Sequence, residues 1–302
     1  MAWESEDPAT GKILPVRPLT RNDNFPDHAF DGPGWPSLEK SLAIHGSLGS
    51  CVVVTPYTPR HKRYLDRSMS CLENAKAYSS GPFDEITQVF YEDKDLKGPG
   101  YARNQIIGGP LKPDWYFFVD ADDMIKRHTF EAMNWLLDRD GEVTDIVWGQ
   151  IEHRGTRMGE VMMLGNAGAY EPFGWNRFLA RGHDRGGGIN CGFFARGDLI
   201  RRYQWFEGQF TLEDIEYFTT IMSEGTFLRL PFPLVTVDSM SASTRDTRKT
   251  KKGLNRKKNT LFDAIRAFWR RNGRRPLHEE VREIRNTVAL SGEGMVDFYG
   301  RG

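Results

Sequence analysis

The chain has 302 residues, 39% of them hydrophobic and 27% charged, with 41 Lys and Arg set against 41 Asp and Glu. That length is enough for one large α/β domain with appendages and a well-buried core, and the composition is that of soluble globular proteins. No stretch approaches the roughly 18 consecutive apolar residues of a membrane span. The acidic N-terminus, Met1 to Asp7, lacks the apolar centre of a secretory signal. Cys51, Cys71 and Cys191 are odd in number and far apart, which argues against a disulfide framework or a zinc cluster and leads us to expect a cytoplasmic protein. The balanced total hides an asymmetry: about thirteen Lys and Arg lie between Arg245 and Arg275, against Asp246 and Asp263 alone.

In chain order, residues 1–48 are rich in Pro, Gly, Asp and Asn and suggest an arm, partly ordered against the domain, with a short helix near Ser37 to Leu42. Ser50 to Pro56 is a β-branched run stopped by proline, the pattern of a strand buried on both faces of a parallel sheet. Tyr64, Leu65, Met69 and Leu72 have helical spacing within a helix over 61–77. A strand at Glu85 to Tyr91, a Gly-Pro-Gly turn at 98–100 and a helix from Tyr101 to Ile107 follow. Trp115 to Val119 is a strong strand that runs straight into Asp120-Ala121-Asp122-Asp123. Further elements are a helix at Thr129 to Leu137, a strand at Asp145 to Gly149, helices at Asp198 to Tyr203 and Glu213 to Ser223, and a strand at Thr226 to Leu230. Beyond Ser243 come the basic segment and two helices, Thr260 to Arg271 and Pro276 to Leu290, the second with proline in its first turn.

The acidic cluster carries the strongest chemical signal. Three carboxylates within four residues repel one another at a strand end. A hard divalent cation relieves that repulsion, because Mg²⁺ or Mn²⁺ takes one or two carboxylates and completes its shell with phosphate and water. Ligands of open α/β sheets bind beyond the carboxyl ends of the strands, which is where this cluster falls. The competing reading is a solvated acidic turn that caps the next helix.

Val52 to Tyr57, Ala102-Arg103-Asn104, Phe118 to Asp123 and Glu213-Asp214 occur in the order and approximate spacing found in family-2 glycosyltransferases with the GT-A fold. The resemblance covers about residues 49–240. It implies a Rossmann-like α/β fold, with a mixed, largely parallel sheet flanked by helices, bounded here by an N-terminal arm (1–48) and a basic helical C-terminal extension (244–302), with the catalytic domain at 49–243. It also implies a nucleotide-sugar donor such as a UDP-sugar, a divalent metal (Mn²⁺ or Mg²⁺) and inversion at the anomeric carbon. Carried over residue by residue, Thr55, Pro56 and Tyr57 would contact nucleobase and ribose. Asp93 would stand in for the family's next nucleotide contact, although Glu92-Asp93-Lys94-Asp95 departs from its D-D-G-S-like pattern. Arg103 would meet the diphosphate or hold the acidic loop, a salt bridge to a nearby carboxylate being the structural alternative. Asp120 would touch ribose and metal, and Asp122 would ligate the metal. The family's third ligand is commonly His; here Asp238 stands at about that point.

Glu213 and Asp214 open a helix, where the dipole keeps carboxylates ionised and where capping is their ordinary role. The resemblance makes Asp214 the catalytic base, with Glu213 as the alternate. Gly186 to Gly192 resembles the family's small-residue loop before the base; it is otherwise a flexible loop turning into a strand at Phe193-Phe194. His183 and Asp184 lie just upstream, on the expected acceptor side. The basic tail has three readings: a loop closing over the donor diphosphate, a nucleic-acid contact through 245–275, or a solvated charge run. The resemblance implies a hydroxyl acceptor on a glycan, and the basic tail adds a hydroxymethylated base in viral DNA. Leu261, Ile265 and Phe268 have helical spacing and should dock on the domain. The rivals are a nucleotidyltransferase of related fold, for which Thr55-Pro56-Tyr57-Thr58-Pro59 lacks the Gly-rich basic signature, and a non-catalytic nucleotide-sugar-binding module.

Overall fold

The computed structural model describes residues 3–6, 13–18, 47–140, 143–154, 161–164, 171–172, 192–205, 207, 225–238 and parts of 217–221 and 264–284. The strands are β1 (Trp3–Glu6), β2 (Ile13–Pro18), β3 (Ser50–Tyr57), β4 (Glu85–Glu92), β5 (Trp115–Phe118), β6 (Met124–Ile125), β7 (Ile146–Arg154), β8 (Val161–Leu164), β9 (Glu171–Pro172), β10 (Phe193–Arg196) and β11 (Phe227–Asp238). The helices are α1 (Leu65–Tyr78), entered through a 3₁₀ turn at Pro59–Tyr64, then α2 (Pro99–Gly108), α3 (Glu131–Asp140) and α4 (Gly197–Arg202).

The centre of the sheet runs β4-β3-β5-β10-β7, with β11 alongside β7. β3 is parallel to both β4 and β5, and β11 is parallel to β7. β10 is antiparallel to β5 on one side and to β7 on the other. Five of these six strands therefore point the same way, with β10 the reversed one. The sheet is mixed and largely parallel in its middle, with helices on both faces, as the sequence led us to expect. β1 and β2, unforeseen within the arm, extend the sheet through a parallel pairing of β2 with β8. The helix predicted at 37–42 lies outside the described residues.

Period-two alternation along β5 and β10 builds two cores from one aromatic run. Phe118 stacks on Phe193 at 4.8 Å on one face, while Phe117 meets Phe194 at 4.5 Å on the other. The first face is covered by Ile106 and Ile107 of α2, Leu199 and Ile200 of α4, and Trp205, Tyr217, Phe218, Ile221 and Ile265. The second is covered by Cys71, Leu72 and Ala75 of α1 and by Phe130, Met133 and Leu136 around α3. Each large side chain so buried contributes about 1.5–3 kcal/mol. Ile265 is fully buried in the first core, so this part of the basic extension docks on the domain as its apolar spacing predicts. Leu261 lies outside the described residues.

Cys51 and Cys71 are at most 1% exposed and unbonded to one another, and burial pushes the Cys51 thiol far above its ordinary range. In a Cys191→Ser background, a thiol reagent such as DTNB is expected to find no reactive group in native protein and two after denaturation. Rapid native labelling would contradict this packing. Among the described residues no helix is long and apolar enough to cross a membrane.

Candidate active site

The parallel registers bring the predicted segments to one sheet edge. Tyr57 lies opposite Glu92, and Val54 opposite Phe118, so the chain leaves β3, β4 and β5 on the same side. Past that edge the backbone N–H of Asp93 donates to the Tyr57 carbonyl at 2.7 Å, and that of Val119 to the Val54 carbonyl at 3.1 Å. Pro56, Tyr57, Asp93, Asp120 and Asp122 thus sit around the carboxyl ends of three adjacent parallel strands, where α/β sheets take their ligands.

The trio after β3 divides. The Thr55 side chain is buried and its Oγ1 accepts from Gln88 Nε2 at 2.9 Å, the same amide that donates to Ser68 Oγ at 3.0 Å. Thr55 therefore faces the core, and only its backbone belongs to the edge. Tyr57 is half-buried, with its ring against Phe90, and burial followed by the charge of Glu92 raises its phenol pKa.

Asp93 is 3% exposed, and its two oxygens accept from the backbone N–H groups of Lys97 (2.8 Å) and Gly98 (2.7 Å). It closes the loop before α2, in which Leu96 and Gly98 both take positive φ. Hydrogen bonds to a charged acceptor contribute about 1.5–3 kcal/mol each. Asp93→Ala, which removes both, is accordingly expected to lower stability by about 3–6 kcal/mol in urea unfolding. An unchanged midpoint would show that the loop holds without it.

α2 supplies Arg103 and Asn104, both buried. The Arg103 guanidinium meets Asp120 Oδ1 at 2.8 Å and lies 4.2 Å over the Trp205 ring. This contact is the salt bridge to a nearby carboxylate named as the structural alternative for Arg103, and it ties α2 to the acidic turn. Asn104 grips the chain at Trp205: its Nδ2 donates to the Trp205 carbonyl and its Oδ1 accepts from the Trp205 N–H, each at 2.9 Å. The same Nδ2 donates to Glu207 at 2.9 Å. Trp205 in turn stacks on Tyr217 at 3.8 Å and 14°.

The acidic turn is pinned between two strands. Asp123 N–H donates to the Asp120 carbonyl at 3.0 Å, and the chain then enters β6, which pairs antiparallel with β11 through Thr236 and Met124. That register carries Asp238 to the turn, where its N–H donates to Asp123 Oδ1 at 3.2 Å. Arg67 of α1 reaches the same place, with Nη1 on Asp238 Oδ2 at 2.8 Å and Nη2 on the Asp122 carbonyl at 2.7 Å. Asp123 is 4% exposed; burial above all, then the charges of Asp122 and Asp120, hold its carboxyl well above the usual range, against the opposing hydrogen bond from Asp238. Gly192, with φ at +105°, packs on Val235 of β11 so closely that any Cβ would collide with it, and its N–H donates to the Phe118 carbonyl at 2.6 Å. Only glycine meets both demands at this position.

Four carboxylates with two arginines leave a surplus of negative charge. All the donors are hard oxygens, so the cluster suits Mg²⁺ or Mn²⁺ in donor type. Among the described residues no three His, Cys, Asp or Glu side chains are grouped as a closed metal cage requires. Asp120, Asp122 and Asp238 are accordingly not brought together as the three-ligand set expected from the sequence. Asp120, with its side chain 36% exposed, and Asp122, half-buried, are the more exposed members of the turn.

Glu213 and Asp214 lie outside the described residues, as do His183, Asp184, Gly186 to Cys191 and most of the basic segment. The helix predicted over 213–223 is seen at 217–218 and 220–221, where Tyr217, Phe218, Thr220 and Ile221 are buried. Sequence reasoning missed Arg67, Gln88 and Trp205. Nothing local marks them, since each acts on a partner far away in the chain.

Comparison with models of known protein families finds no match, and comparison with curated proteins finds none either. Among solved structures, S. aureus TarS 1–349 is similar at 15% identity and a TM-score of 0.47, over 74% of this chain and 73% of that one. The same TarS fragment in complex with UDP-GlcNAc is similar at 14% identity and a TM-score of 0.49, over 74% of each chain. The longer TarS structure is similar at 13% identity and 0.47, over 80% of this chain and 43% of that one. At these values the likeness says nothing about activity.

Proposed function

We propose that the chain is a metal-dependent glycosyltransferase that moves a sugar from a nucleoside diphosphate donor to a hydroxyl acceptor. What supports this reading is the convergence, past three adjacent parallel strands, of Pro56-Tyr57, the Asp93 loop and the Asp120 to Asp123 turn. The nucleoside would lie along Tyr57 and the loop closed by Asp93, and Asp120 and Asp122 would hold the cation. When bound, the cation offsets the charge that develops on the leaving diphosphate. Arg103 keeps Asp120 aimed at this place.

Asp214, with Glu213 as the alternate, takes the proton of the acceptor hydroxyl. The acceptor oxygen then forms its bond to the anomeric carbon from the side opposite the leaving group, the carbon–oxygen bond to the diphosphate breaks, and the configuration inverts. The donor is a UDP-sugar in this proposal. The acceptor is a glycan hydroxyl. The excess of Lys and Arg over 245–275 favours a second reading, a hydroxymethylated base in DNA. In that case transfer should weaken steeply with salt and with Lys251→Glu plus Lys252→Glu, whereas salt-independent transfer to a free glycan would remove DNA from consideration.

The test is a substrate panel with Mn²⁺. UDP release from a UDP-sugar supports a glycosyltransferase. Consumption of a nucleoside triphosphate with pyrophosphate release would replace it with a nucleotidyltransferase, and turnover of neither would leave a binding module.

A further inference from the structure

Asp238 stands where a third metal ligand is expected, yet its carboxylate is already engaged. Arg67 Nη1 meets Asp238 Oδ2 at 2.8 Å, and Nη2 of the same guanidinium donates to the Asp122 carbonyl at 2.7 Å. Arg67 is 22% exposed and Asp238 8%, so the pair is largely shielded from water. The Asp238 N–H is itself spent on Asp123. Three elements distant in sequence, α1, the acidic turn and the end of β11, therefore meet at one planar, doubly donating group. A guanidinium can serve two acceptors at fixed angles in this way, which an ammonium cannot.

We propose that Arg67 is a positioning residue for the donor site: with Asp238 as its counter-ion it clamps the Asp122 backbone, and Asp238 acts on the bound cation and diphosphate only through that clamp. The inference rests on the reading of the acidic turn given above. It makes Asp238 a partner of Arg67 rather than a ligand. Arg67 fixes the carbonyl of Asp122, so it sets where the Asp122 carboxylate starts from without touching the donor. Partners that orient ligating groups in this manner typically contribute ten- to a hundredfold in affinity.

The two roles for Asp238 give opposite results in a double-mutant cycle read by calorimetric titration of UDP in MnCl2. A clamp predicts that Arg67→Met and Asp238→Asn each weaken UDP binding by about tenfold or more. The double variant should be no weaker than the worse single, and Arg67→Lys should recover only part of the loss. If Asp238 were a ligand, Asp238→Asn would lose binding while Arg67→Met, which releases the carboxylate, would bind as tightly as wild type or tighter; that result overturns the inference. A merely structural pair would shift the melting temperature and leave UDP affinity of the folded fraction unchanged, which also overturns it. Where Arg67→Met does not fold, Arg67→Lys against Asp238→Asn carries the same comparison. Should wild-type protein bind no UDP with Mn²⁺, the reading of the turn fails at once and this inference with it. Wild-type binding with an indifferent Arg67 isolates failure of the inference alone.

Discussion

Asp122→Asn is expected to lower UDP-sugar turnover by about 10²–10³-fold, the loss seen when one preorganised stabilising group is removed from a reacting centre, and to leave the fold as stable as before. Arg67 holds the backbone carbonyl of Asp122, and asparagine keeps that carbonyl in place. The carboxylate itself is among the charges that hold Asp123 protonation up, so neutralising it relieves repulsion inside the turn. Stability should therefore stay within about 0.5 kcal/mol of wild type, or rise slightly. Activity gained from a locally unfavourable cluster is the usual form of the trade between function and stability. A capping role for the turn predicts the reverse pattern: a lower melting temperature, with activity falling only as far as the folded fraction. Parallel turnover and thermal-melt measurements on the one variant separate the two.

Trp205→Ala is expected to have a large effect on stability. The ring is 2% exposed, stacks on Tyr217 at 3.8 Å, lies 5.6 Å from Phe118 and carries the Arg103 guanidinium 4.2 Å above it. Truncating a buried Trp costs about 3–5 kcal/mol, a large share of the 5–15 kcal/mol by which domains are stable. The loss reaches the site by two routes. Arg103 loses the face that fixes its angle to Asp120, and the chain that Asn104 grips at Trp205 loses its anchor on the helix seen at 217–221. Trp205→Phe, which keeps a stacking face, should recover more than half of the stability. Urea unfolding of both variants checks this. Equal stability of Trp205→Ala and wild type would mean that the aromatic stack is not the support described here.

The parts of the fold legible in advance were those with local signatures. β3 and β5 announced themselves as continuous apolar runs because both of their faces are covered, and α1 and α3 by apolar spacing. β4 was found although most of its side chains are only half-buried. What escaped was structure created by partners. β6 is two residues long and exists because β11 pairs with it. β10 was legible only as the strand at Phe193-Phe194 into which the glycine loop turns; its place between β5 and β7 was not. β1 and β2 belong to a segment whose Pro, Gly and Asp content argues for an arm.

The site divides along the same line. Asp120 to Asp123 could be picked out because like charges at a strand end need an explanation in any fold. Arg103 was found as part of Ala102-Arg103-Asn104, and its ion pair with Asp120 is the salt bridge the sequence offered as the structural alternative. Thr55 and Asp93 were chosen by position, and position says nothing of where a side chain turns: Thr55 turns to Gln88, and Asp93 turns to the backbone of its own loop. Arg67 acts across 171 residues on Asp238, a separation that no local pattern encodes.

The central claim, that the Asp120 to Asp123 turn is the seat of a metal–diphosphate donor, is tested most directly by thermal shift with a panel of nucleotide sugars, each with MnCl2 and with EDTA. A ligand at about a hundred times its Kd stabilises the folded state by about 2.7 kcal/mol, which is a shift of several degrees for a domain of this size. A UDP-sugar should raise the melting temperature in MnCl2, lose that effect in EDTA, and lose it again in Asp122→Asn with Mn²⁺ present. Stabilisation by the nucleotide that survives both EDTA and Asp122→Asn would place the donor elsewhere and contradict the account.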